Sequence, residues 1–154
     1  MKMSAGVEWG THICLLLTQA DDRLVGRRSL ADHFGLPEAY LAKQLKKLVA
    51  AGVLEAVPGP AGGYRLAAEP GRITLLDIVE AIEGAEPSFT CTEIRQQGTG
   101  AASPDDCLRD CIVKTSMLNA DQAWRDTLRN QTVHDLAIKL PKAVTQRYRN
   151  TTLR

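Results

Sequence analysis

Two pairs of side chains in this sequence combine metal-binding chemistry with a spacing of four. Cys107 and Cys111 form one pair, and Glu8 and His12 form the other. On a helix, residues four apart share a face, so the spacing predicts two thiolates presented together and, separately, a carboxylate beside an imidazole. Thiolates are soft ligands suited to iron–sulphur clusters or zinc, and imidazole suits several transition metals. Cys91, further upstream, reads as a third ligand, a resolving thiol or a packing residue. Small buried cysteines are the competing reading for Cys107 and Cys111, and an exposed i,i+4 contact for Glu8 and His12. Cys14 falls on an apolar helix face and reads as core. His33 and His134 have no cysteine near them in sequence and read as structural or surface groups.

These residues need elements to position them. A first helix is expected from after Ser4 to about Thr18, carrying Glu8, Trp9 and His12, with Val7, Ile13, Cys14 and Leu17 on its apolar side. A short second helix is expected near Ser29, a candidate N-cap, ending at Gly35. From Pro37 to about Ala51 the pattern is clear. Leu41, Leu45, Leu48 and Val49 form one side, Tyr40, Lys43 and Lys47 the other, and Gln44 lies at the flank. Val53–Val57 and Tyr64–Ala67 read as strands around a glycine-rich tip that ends in Gly62 and Gly63. Helix, turn, helix and hairpin is the order of a winged helix-turn-helix.

Further along, Thr74 and Asp77 stand at capping-box distance and open a helix that closes at Gly84. Residues 85–105 read as irregular. A long helix is then expected from Asp106 to about Asn130, with Leu108, Val113, Met117, Leu118, Trp124 and Leu128 as its apolar positions and dimerisation as its role. A short helix over Thr132–Leu140 is expected to stop at Pro141, leaving residues 141–154 as a frayed basic tail.

The expected fold is therefore mainly α: a winged helix-turn-helix domain over 1–84 with a two-stranded wing, a cluster-binding loop over 85–105, a dimerisation helix and short terminal helix over 106–140, and the tail. In the DNA reading, the second helix of the pair enters a major groove. Tyr40, Lys43 and Lys47 then meet phosphates or base edges, Gln44 reads adenine, and Ser29 contributes from the preceding helix. At the wing, Gly62 and Gly63 permit close backbone approach to phosphate and Arg65 supplies charge. A structural hairpin does not on this reading need both glycines.

Composition sets the frame. The net charge is +1, so nucleic acid would be met by a local basic surface rather than by the whole molecule. No apolar run approaches the roughly 20 residues of a membrane span, the longest being Ile13–Leu17. A cytoplasmic protein without membrane association is expected. In that compartment clustered cysteines point to metal or redox sites rather than structural disulfides.

The run YLAKQLKKLVAAGVLEAVPGPAGGYRLA, followed by ITLLDIVEAIEG, resembles the winged-helix regulators typified by IscR, NsrR and RsrR, over about residues 1–120. VEWGTHIC and FTCTEIRQ resemble the redox-sensing RsrR branch in particular. The resemblance implies a homodimer on partly palindromic operator DNA. It also implies a 2Fe–2S cluster held by Cys107 and Cys111 of one subunit and by Glu8 and His12 of the other, with Trp9 placed to report ligand movement to the DNA-binding unit. Three departures stand out. Pro58 stands where the family often carries arginine before the first wing glycine, which puts more weight on Arg65. Asp110 stands where the IscR branch has histidine, and the interval after Cys91 lacks a middle cysteine. The expected function is a transcription regulator, in the first instance a repressor, and not an enzyme. The competing readings are a zinc-stabilised or thiol-based regulator without a cluster, and a small enzyme using Cys107 or Cys111 with His12.

Overall fold

The computed structural model describes residues 2–153, in two compact units: residues 86–127, and residues 2–85 together with 128–153. In the larger unit, α1 (Ala5–Leu17), α2 (Arg27–Phe34) and α3 (Glu38–Ala50) precede a hairpin of β1 (Leu54–Val57) and β2 (Gly63–Leu66). Then comes α4 (Leu75–Glu83). After the smaller unit, the chain returns as α6 (Val133–Ala137) and α7 (Lys142–Thr152). The helix α5 (Ile112–Arg129) begins in the smaller unit.

Helix α1 is the centre of the larger unit because its last five residues, Ile13–Leu17, are all buried. A helix apolar on every side must be surrounded, and α3, α4, α6 and α7 surround this one. Leu30, Leu41, Leu45, Leu48, Leu54, Ile78 and Val133 join it in the fully buried core, a buried leucine or isoleucine being worth about 1.5–3 kcal/mol of transfer free energy. The expected capping box of α4 is present: Asp77 N–H donates to the Thr74 hydroxyl and Thr74 N–H to the Asp77 carboxylate, at 3.1 and 2.7 Å. Thr132 and Asp135 repeat the motif at α6. The two N-termini are joined through the Val133 N–H to Ile73 carbonyl bond of 2.8 Å.

The wing strands pair antiparallel with Glu55 opposite Arg65 and Ala56 opposite Tyr64. Val25 adds a bridge on the other side of Tyr64. This bridge explains Gly63, and the hairpin's own turn explains Gly62, which corrects the expectation that the hairpin itself does not need both. A Cβ on Gly63 would stand 2.7 Å from the Val25 carbonyl oxygen, and one on Gly62 would stand 2.1 Å from that of Val57. Backbone crowding demands both residues.

Four further expectations are corrected. Helix α2 begins at Arg27 with Gly26 as its cap, so Ser29 is the third helical residue and half-buried. Residues 142–152 are helix rather than frayed tail, because Pro141 caps a new helix whose Tyr148 and Thr152, four apart, are both buried. Gln44 faces inward, only 4% exposed. The long helix starts at Ile112, six residues later than expected.

That last difference removes the basis for placing Cys107 and Cys111 on one helical face. Cys107 ends a short 3-10 turn, Asp105–Cys107, and Cys111 directly precedes α5. Two local contacts favour the break. Ser103 and Asp106 bond reciprocally, closing the turn. The Arg109 carbonyl, which a continuous helix would use internally, instead accepts from the Arg95 guanidinium at 3.4 Å.

Candidate cluster ligands and nucleic-acid interface

Glu8 and His12 lie exposed on the same side of α1 and line one cavity of about 430 Å³. Trp9, Phe34, Leu36 and Val144 give the cavity apolar walls, while His33, Arg147 and Tyr148 add polar groups. The His12 Nδ1 stands 3.4 Å from the Tyr148 hydroxyl. His33 bonds Thr151 at 2.6 Å through its own Nδ1. Burial, and then the charge on Arg147, pull His33 below the ordinary histidine value of 6.5. It serves as a structural group joining α2 to α7, in line with its reading from sequence. His134 is exposed on α6.

In the smaller unit, Cys91, Cys107 and Cys111 are free and half-buried. Arg95 is the residue that sequence reasoning passed over. It pairs with Glu93 at 2.5 Å, which raises its pKa most, and thiolate charge on Cys107 and Cys111 raises it further. Both cysteines are thus within electrostatic reach of one guanidinium. Cys14 is wholly buried, and burial pushes its thiol up to about 12, so it is an inert core residue.

The metal-binding residue types thus fall in two places, a carboxylate and an imidazole on α1 and accessible thiols in the smaller unit. Among the described residues, no three His, Cys, Asp or Glu side chains converge within one chain.

On α3, Tyr40, Lys43 and Lys46 are exposed. Lys47 is half-buried, its ammonium donating to the Ile82 carbonyl at the end of α4 at 2.5 Å. The Gln44 Oε1 is buried without a hydrogen-bond partner, at a point where a Cβ on Gly6 would come within 2.9 Å of it. Gln44 therefore cannot read a base edge from this position. Arg65 pairs with Glu55 across the wing at 2.9 Å, which raises the guanidinium pKa and lowers that of the carboxylate. Arg28, with 86% of its side chain exposed, and Arg27, paired with Glu38 at 2.8 Å, open α2 and extend the basic surface. Two adjacent arginines before Ser29 are the sequence signal that could have found them. Trp9 links the two regions, its ring 5.2 Å from that of Tyr40 in an edge-to-face contact.

Comparison with known proteins gives a consistent set of likenesses. The family model described as Rrf2, iron-dependent transcriptional regulator, matches residues 3–139. The putative HTH-type transcriptional regulator BadM of Rhodopseudomonas palustris is 40% identical over 83 residues, 54% of this chain and 53% of that protein, so the alignment spans about half of that relative. The HTH-type transcriptional regulator NsrR of Shouchella clausii is 26% identical over 139 residues, covering 90% of this chain and 89% of its own. The solved structure of CymR, the global cysteine regulator of Bacillus subtilis, superposes with a TM-score of 0.69 at 25% identity, covering 92% of this chain and 99% of that one. No helix among the described residues is long and apolar enough to cross a membrane.

Proposed function

The chain belongs to the Rrf2 family of transcriptional regulators, and from that premise we propose that it binds operator DNA as a homodimer whose affinity a 2Fe–2S cluster controls. The coarser part rests on the family: it is a DNA-binding winged-helix regulator, and its relatives are named as regulators rather than enzymes. The finer part is our reading, and it places the protein with the RsrR branch.

In this reading Glu8 and His12 of one subunit and the partner subunit's Cys107 and Cys111 hold the cluster, with repression as the outcome of binding. Cys91 is left out of the ligand set. When bound, a 2Fe–2S cluster supplies reversible one-electron chemistry. The chain's residues do the rest. Glu8 and His12 offer one hard and one borderline donor on a rigid helix. Arg95 holds positive charge beside the two thiols, and Trp9 carries displacement of α1 to Tyr40 on α3. The observation that carries the proposal is this Trp9–Tyr40 contact, because it joins the helix bearing Glu8 and His12 to the exposed face of the recognition helix. A state-dependent shift of that contact would bias the equilibrium between DNA-competent and incompetent dimers.

The exposed apolar side chains of α5 support the dimer. Ile112, Val113 and Met117 are 82%, 56% and 45% exposed, an arrangement that costs solvation unless a second surface covers it.

The test is iron and acid-labile sulphide content with the absorption spectrum of anaerobically purified protein, followed by operator affinity in oxidised and reduced states. Two irons and two sulphides per site, with affinity differing between states, are expected. A colourless protein holding zinc would replace the cluster with a structural site. A metal-free protein whose affinity follows thiol oxidation would make it a thiol sensor.

A further inference from the structure

We infer that the wing meets the DNA backbone with the face it turns to α2, where one phosphate seats against Arg27. The inference rests on the DNA-binding premise of the family and not on the cluster. A groove of about 570 Å³ lies between the start of α2 and the wing, lined by Arg27 and by wing residues 56–59 and 62–64. Among these residues Arg27 carries the only formal charge. Gly59, Gly62 and Gly63 put no side chain on the wing side, so a phosphodiester can come up to the backbone. The wing is tied to the chain just ahead of Arg27. Val25 N–H donates to the Tyr64 carbonyl and Tyr64 N–H to the Val25 carbonyl, at 3.0 and 2.9 Å.

Arg27 is also oriented. Its Nε donates to the Glu38 carboxylate at 2.8 Å, and its terminal nitrogens have no partner among the described residues. The terminal N–H groups therefore remain for an anion, in the fork geometry that suits phosphate. Both members of the pair are exposed, an arrangement that contributes little to stability. The opposite face of the wing has the opposite character. Strand side chains alternate, so Glu55 and Arg65 project away from the face that carries Ala56 and Tyr64. Arg65 lines a cavity there with Asp21, Asp22, Glu55 and Glu69. Its Nε is bonded to Glu55, whose charge, with that of Asp22, raises its pKa. Four carboxylates around one guanidinium repel a phosphate. Charge thus selects the Arg27 side, although the position of Arg65 beside the wing glycines in sequence points to the other.

The experiment uses the full chain and a duplex that it selects from a random-sequence pool. The salt slope of binding is measured for the unmodified protein, Arg27→Gln and Arg65→Gln. Arg27→Gln is expected to lower the slope by about one ion and Arg65→Gln by less. The duplex is then scanned with single methylphosphonates, each of which makes one phosphate neutral. At the seated phosphate this should weaken the unmodified protein about tenfold, the low end for hydrogen bonds to a charged group, and leave Arg27→Gln almost unaffected. Such a loss of sensitivity at one position marks a direct contact, since a folding defect would weaken binding at every position alike. The same methylphosphonate profile in both proteins, or a larger loss of slope in Arg65→Gln than in Arg27→Gln, overturns the inference. A protein that selects no duplex would instead remove the DNA-binding premise, and the inference with it.

Discussion

The ammonium of Lys47 on the recognition helix donates to the Ile82 carbonyl at the end of α4, 2.5 Å away. A lysine spaced to face DNA is thus used to hold α3 against its neighbour, at a helix C-terminus where positive charge is favourable. Lys47→Ala is therefore expected to cost about 1–3 kcal/mol of stability, read as a lowered Tm. Lys43→Ala and Lys46→Ala, both exposed, are expected to leave Tm unchanged and to flatten the salt dependence of operator binding by about one ion each. Equal Tm in all three variants would refute the division.

The wing glycines are demanded by space. Gly62→Ala places a methyl 2.1 Å from the Val57 carbonyl oxygen, so strain of about 1–3 kcal/mol is expected together with weaker DNA binding. Pro58→Ala, at an exposed position, serves as a control that should keep both.

Cysteine reactivity should divide the four thiols. Brief alkylation of the native protein is expected to spare Cys14, buried with its thiol near 12, and to label the half-buried Cys91, Cys107 and Cys111. Cys107→Ala and Cys111→Ala are expected to lose iron and sulphide, Cys14→Ala and Cys91→Ala to retain them. Full occupancy in both of the first two would end the ligand assignment.

The α5 surface gives a distinct expectation. Val113, Met117 and Trp124 fall on one side of the helix, and Leu118 falls on another, shared with the buried Asp121–Arg125 pair. Met117→Asp should therefore yield monomers by sedimentation, with loss of palindromic binding. Leu118→Asp should weaken the dimer less, because Leu118 lies off the exposed face that carries Val113 and Met117. The reverse order would put the contact on the Leu118 side of the helix.

The pH response follows from His33. Its folded value lies below 6.5, so the unfolded chain takes up a proton first as pH falls. Stability from this group is complete above 6.5 and is lost as pH drops through the window between 6.5 and the folded value. Thermal melts between pH 7.5 and 5.5 should show this loss, and His33→Gln should flatten it. An unchanged slope would mean that other groups dominate. Glu83, Asp121 and Asp135, all lowered below their ordinary carboxylate range, act only at more acidic pH.

Sequence by itself determined the elements whose signals are local. The leucine spacing of α3, the Thr74–Asp77 box and the paired strands around the wing each depend on neighbours within a few residues, and each forms as expected. Tertiary structure decided what depends on partners far along the chain. Gln44 and Lys47 lie on the helix that the pattern fixes, but whether they face water or protein was set by α1 and α4 packing over them. The last helix forms on Pro141 because Tyr148 and Thr152 find a surface made by residues more than a hundred positions earlier. The break before Ile112 follows from Arg95 reaching the Arg109 carbonyl. Periodicity records which side of a helix is apolar. It does not record which distant group will occupy the other side, and here those groups decide which side chains remain free to bind.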